Sequence, residues 1–122
     1  MTIYRVNVHT GNLSPLAGAG TDANVYITLY GDKDGSDELN LDNAGNNFEQ
    51  GAVDTFALHL ADLGDLQRVR VRHDNKFPFP GWYLDRIFIR NEDTNQEWTF
   101  PCNRWLAQDE DDGEIERVLD RA

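Results

Sequence analysis

The sequence has one cysteine, Cys102, so no disulfide can form within the chain and the core must hold the fold unaided. A cysteine-based zinc site is excluded on the same ground. The lone thiol reads as a small core hydrophobe rather than a nucleophile, and a free thiol fits a reducing compartment. No stretch approaches the roughly 18 apolar residues that a membrane-spanning helix requires. Met1-Thr2-Ile3-Tyr4-Arg5 lacks a basic segment followed by an apolar one, so the start does not read as a secretory signal. Read as a full-length chain, that favours the cytoplasm. Positive charge is scarce: 11 Lys and Arg stand against 22 Asp and Glu, a net charge of −11. Nucleic acid is therefore not expected as a partner, because phosphate binding runs on Lys and Arg. Simple electrostatic adhesion to anionic lipid is disfavoured for the same reason. A cation, a basic protein partner or plain solubility all remain compatible with the charge.

Catalytic signatures are missing too. There is no Gly-x-Ser-x-Gly elbow, no His-Glu-x-x-His and no Gly-rich loop leading into a helix. His9, His59 and His73 fall on separate segments. The chain is not expected to be an enzyme.

What is present is alternation with a period of two. Tyr4, Val6 and Val8 alternate with Arg5 and Asn7; Val25, Ile27 and Leu29 with Tyr26 and Thr28. Leu39 and Leu41 flank Asn40, and Phe56, Leu58 and Leu60 alternate with Ala57 and His59. Val69 and Val71 sit among Arg68, Arg70 and Arg72, Ile87 and Ile89 flank Phe88, and Trp98 and Phe100 flank Thr99. Ile115 and the Val118-Leu119 pair suggest a last strand. The separators are turn chemistry, such as Gly31-Asp32-Lys33-Asp34-Gly35 and Asp42-Asn43-Ala44-Gly45-Asn46-Asn47. About eight short strands with regular turns predict one domain over residues 1–122, an all-β antiparallel sandwich. Leu60–Leu66 also admits a short helical turn, with Asp62 or Asp65 as its cap. The acidic run Asp109-Glu110-Asp111-Asp112 reads as a solvated loop before the last strand.

Calcium takes six to eight oxygens from carboxylates, amides and carbonyls. Gly18-Ala19-Gly20-Thr21-Asp22 and Asn46-Asn47-Phe48-Glu49 offer such donors, whereas the Asp32 and Asp109 runs fail the EF-hand template.

Taken in order, several pieces resemble the PLAT domain, also called the lipoxygenase-homology or LH2 domain. They are Tyr4-Arg5-Val6-Asn7-Val8 with Thr10-Gly11, then Ala19-Gly20-Thr21-Asp22-Ala23-Asn24-Val25, and Asn46-Asn47-Phe48-Glu49-Gln50-Gly51 with Asp54 and Phe56. Val69-Arg70-Val71-Arg72-His73-Asp74-Asn75, Pro80-Gly81-Trp82-Tyr83-Leu84-Asp85 and Phe100-Pro101-Cys102-Asn103-Arg104-Trp105-Leu106 complete the set. The resemblance implies a C2-like sandwich of two four-stranded antiparallel sheets. It also implies a non-catalytic module that brings larger proteins to membranes or protein partners, often with Ca²⁺. The family's metal positions fall on Gly20, Thr21, Asp22, Asn46, Asn47 and Glu49. Asn47 stands where lipoxygenases carry a carboxylate, and a further family acid falls on Pro80, which has only a carbonyl to give. With Asp22 and Glu49 as the clear carboxylates, weak Ca²⁺ binding is expected, on the order of 10⁻⁵ to 10⁻³ M.

The resemblance also gives Trp82, Trp98 and Trp105 packing roles. Phe48 is expected to plug the end of the sandwich and Asp74 to brace its turn. Asp85 and Arg104 are candidates to pair, or to satisfy backbone groups at a sheet edge. Lys76-Phe77-Pro78-Phe79-Pro80 is the exception to packing. Family lipoxygenases carry lipid-dipping aromatics in this loop, so Phe77 and Phe79 are candidate membrane or partner contacts, unless one folds back onto the core. Leu13 and Leu16 are candidates for the same rim. Two partners stay open: membrane lipid, or a protein docking on the acidic surface or an exposed edge strand.

Overall fold

A computed structural model describes residues 1–13, 18–43 and 45–122. Among them the chain is all strand and loop: β1 (Thr2–Thr10), β2 (Val25–Gly31), β3 (Leu39–Asn40), β4 (Val53–Leu60), β5 (Leu66–His73), β6 (Trp82–Asn91), β7 (Glu97–Leu106) and β8 (Glu116–Asp120). They form two four-stranded antiparallel sheets, β4-β1-β6-β7 and β3-β2-β5-β8. The alternation explains the layering. Tyr4, Val6 and Val8 are fully buried while Arg5 faces solvent, and Val69 and Val71 are buried between arginines. Each sheet turns its apolar face inward onto one cluster that includes Trp82, Leu84, Ile87, Ile89, Trp98 and Phe100.

Topology sets where the loops go. Thr10 ends β1 beside Leu84 of β6, Val25 opens β2 opposite His73 at the end of β5, and Trp82 opens β6 opposite Leu106 at the end of β7. Because each strand runs against its neighbours, the β1–β2, β3–β4, β5–β6 and β7–β8 connections all gather at one end. The opposite end carries the β2–β3, β4–β5 and β6–β7 turns.

Three local expectations need correction. The Leu60–Leu66 stretch forms no helix: β4 runs through Leu60 and β5 begins at Leu66. Asp62 instead closes a tight turn by accepting a bond from the Gly64 N–H at 2.9 Å, with Gly64 at φ 81°. Leu63 is buried, its N–H bonded to the Tyr4 hydroxyl. Asp85 and Arg104 do not pair with each other. Asp85 meets Arg86 at 3.2 Å, and Arg104 meets Asp111 and Asp112 at 2.8 and 3.0 Å. The acidic run is thus half consumed by ion pairs rather than wholly solvated. Arg117, its side chain 8% exposed, also clasps Asp112 and donates twice to the Trp105 carbonyl.

Candidate functional site

The β1–β2 and β3–β4 loops are stitched together at the loop-rich end. The Thr21 N–H donates to the Phe48 carbonyl at 2.9 Å, and the Ala19 N–H to Gln50 Oε1 at 2.8 Å. A β-carbon on Gly20 would come within 2.7 Å of the Phe48 carbonyl, so only glycine lets the two backbones approach this closely. Phe48 is the pin between them. Its ring is buried, stacked on Phe56 at 5.7 Å and edge-on to Trp82 at 5.4 Å. Its backbone sits at φ 62°, an unfavourable region for a bulky residue, held there by Asp54 Oδ2 accepting from the Phe48 N–H at 2.8 Å. Of the two residues flanking the pin, Glu49 is exposed and Asn47 half-buried.

All six of the residues expected to ligate metal line two adjoining cavities. Thr21, Asp22, Asn46 and Asn47 line one of about 130 Å³, and Gly20, Thr21, Asp22 and Glu49 line another of about 340 Å³. Asp22, exposed, belongs to both. Thr21 is engaged elsewhere: its hydroxyl donates to the Pro80 carbonyl at 2.7 Å and accepts from the Ala23 N–H. That bond uses one of the two lone pairs of the Pro80 carbonyl, the oxygen Pro80 was expected to offer. Among the described residues no three His, Cys, Asp or Glu converge as a metal cluster. The side chains lining the two cavities supply carboxylate and amide oxygens, the hard donors that suit calcium, at a low charge count. Asp42 lines the first cavity as well, and sequence reading left it among ordinary turn residues. Its signal was its place at the head of the same loop as Asn46 and Asn47.

The second cavity also includes Pro78 and Phe79. Neither phenylalanine of the β5–β6 loop folds back: Phe77 is 62% exposed and Phe79 92%. Both hold left-handed backbones, φ 69° and 57°. The loop is anchored at its base by Asp74, which accepts from the Asn24 N–H and side-chain amide and from the Lys76 N–H. Leu13 is half-buried, and Leu16 lies outside the described residues. Trp82 and Trp98 are buried as expected, but Trp105 is only partly covered, standing edge-on to Tyr83 at 5.5 Å. Burial pushes the Cys102 thiol up, which keeps it protonated and a poor nucleophile.

The PLAT/LH2 domain family matches residues 4–120. The chain belongs to that family. This PLAT domain is 46% identical over 116 residues to human lipoxygenase homology domain-containing protein 1, a match over 95% of this chain and 6% of that protein. It is 39% identical over 118 residues to mouse polycystin-1-like protein 3, covering 95% of this chain and 5% of that one. The domain thus spans only a small fraction of these relatives. Among solved structures it superposes on a coral 8R-lipoxygenase whose calcium activation runs via a C2-like domain. That match has a TM-score of 0.82 and 31% identity, over 98% of this chain and 17% of the lipoxygenase.

Proposed function

We propose that this PLAT domain is a non-catalytic module that docks reversibly on membranes when Ca²⁺ occupies the β1–β2 and β3–β4 loops. One observation carries the reading: the exposed Phe79 ring and the candidate ligands Asp22 and Glu49 share one cavity. A cation held there would neutralise charge beside the apolar tip that must enter lipid. Neutralisation matters because this end also presents Asp109 and Glu110, which line a neighbouring cavity with Phe79 and Trp105. Burying two phenylalanines offers roughly 3 to 6 kcal/mol before ordering costs, which is marginal binding. The prolines at 78 and 80 stiffen the loop and reduce those costs. The competing reading, a basic partner on the acidic run, is weakened because Asp111 and Asp112 are already paired with Arg104 and Arg117.

Sedimentation with phosphatidylcholine vesicles tests the proposal. Pelleting should require Ca²⁺, and the double change Phe77→Ala, Phe79→Ala should abolish it while leaving the melting temperature nearly unchanged, since neither ring is core. Equal pelleting with chelator, or by the double variant, would reject the reading.

A further inference from the structure

Four strands form the edges of the two sheets, β4, β7, β3 and β8, and three of them are defended against further pairing. β7 carries Pro101, its Thr99 carbonyl accepts from the Ala122 N–H at 2.8 Å, and its Trp105 carbonyl is covered by Arg117. β3 has only two residues, and β8 has five, three of them charged with Glu116, Arg117 and Asp120. β4 has eight residues with no proline, lysine or arginine. Its single acid, Asp54, is occupied by the Phe48 N–H.

The free side of β4 is identified by one contact. Asn43 Nδ2 donates to the Thr55 carbonyl at 3.2 Å, so Thr55 points its backbone groups away from β1. Backbone direction alternates along a strand, so Ala57 and His59 present their N–H and C=O groups on that same side. Both residues are exposed and, among the described residues, nothing is bonded there. The sandwich is also incompletely closed beneath this edge. Leu58 and Leu60 face inward but are only partly buried, because two-residue β3 lies near the loop-rich end and does not reach across the far end of β4.

We propose that β4 pairs with β4 of a second copy of this chain, antiparallel about a two-fold axis at Leu58. This occupant fits because the ladder is self-complementary. Ala57 faces His59 of the second copy and His59 faces its Ala57, giving four backbone bonds and leaving the Asn43–Thr55 contact intact. Leu58 faces Leu58 of the second copy on the inner side, and Leu60 faces its Phe56, completing their burial. Within Phe56–Leu60 no charged side chains oppose each other; at the margin of the seam Asp54 falls opposite Asp62 of the second copy, each already bonded within its own chain, to the Phe48 N–H and to Lys33. The net charge of −11 on each copy repels the other, so pairing should strengthen as salt screens it. An interface made of ion pairs would do the opposite.

Analytical ultracentrifugation should find a monomer–dimer equilibrium that shifts toward dimer from low to physiological salt. Directly opposed side chains in such a ladder have Cβ atoms roughly 4.5–5.5 Å apart, within reach of a disulfide. In a Cys102→Ser background, Leu58→Cys should therefore form a disulfide-linked dimer on mild oxidation. Val53→Cys, exposed on the same strand but outside the paired register, should not. Ala57→Pro removes an outward N–H without touching the β1 bonds, so it should give a folded monomer. A single monomeric species across salt and protein concentration would overturn the proposal. So would a Leu58→Cys variant that stays monomeric, or a Val53→Cys variant that cross-links as fast.

Discussion

His73 closes β5 inside the protein, with no exposed surface. Its Nδ1 accepts from the Asn75 N–H at 3.0 Å, so Nε2 carries the proton and donates to the Leu106 carbonyl at 2.7 Å. The neutral ring thereby ties the start of the β5–β6 loop to the end of β7. Burial pushes its pKa down, partly opposed by the bond to Leu106. The unfolded chain therefore takes up the proton first. Stability is complete above about pH 6.5 and declines as pH falls from there toward the lower folded value. His9 is also pushed down, by burial and then Arg86, and adds a slope of the same sign. Asp62 and Asp65, held below the usual range by a backbone N–H and by the Trp98 indole N–H respectively, act in a separate window. Their contribution persists above about pH 4 and is lost only below it. The melting temperature should accordingly drop between about pH 7.5 and pH 5, and His73→Gln should flatten much of that drop. A wild-type melt that is flat across this window would contradict the assignment.

Among the elements, the β7–β8 connection shows what local sequence leaves unspecified. Asp111 and Asp112 look like solvent-facing charge, yet they join Arg104 and Arg117 in one ion-paired cluster. Asp112 is driven well below the usual carboxylate range, chiefly by Arg117. Arg117→Ala should destabilise by roughly 1.5–3 kcal/mol, since it strips a charge-assisted partner from the Trp105 carbonyl; urea unfolding checks this. The strands themselves were readable because a half-buried strand writes its burial into every second residue. The candidate ligands were readable for a different reason, the family resemblance: composition alone does not separate Asn46 and Asn47 from ordinary turn residues. The misreadings share a cause. Asp62 as a helix cap, Asp85 with Arg104, and the free acidic run all turn on which side chains meet across loops, and no periodicity records that. Asp42 and Asp54 went unassigned at the site because their roles appear only once β4 and the preceding loop are in place.

For the molecule as a whole, strand direction places four loops at one end, and with them Asp22, Glu49, Phe77, Phe79 and the acids Asp109 and Glu110. A peripheral module of this design would be switched by one ion that both stitches the loops and removes their charge. The proposed switch depends on Ca²⁺ binding between the β1–β2 and β3–β4 loops through Asp22 and Glu49. Thermal unfolding in chelator and in millimolar Ca²⁺ tests it most directly. With Kd at the tight end of the expected range, on the order of 10⁻⁵ M, millimolar Ca²⁺ is about a hundredfold excess and linkage gives about 2.7 kcal/mol, so the melting temperature should rise by several degrees. Asp22→Ala and Glu49→Ala should each remove most of that rise. Asp111→Ala, tied to Arg104 away from the two cavities, should keep it. A melting temperature unchanged by Ca²⁺, or a rise that survives both Asp22→Ala and Glu49→Ala, would contradict the account.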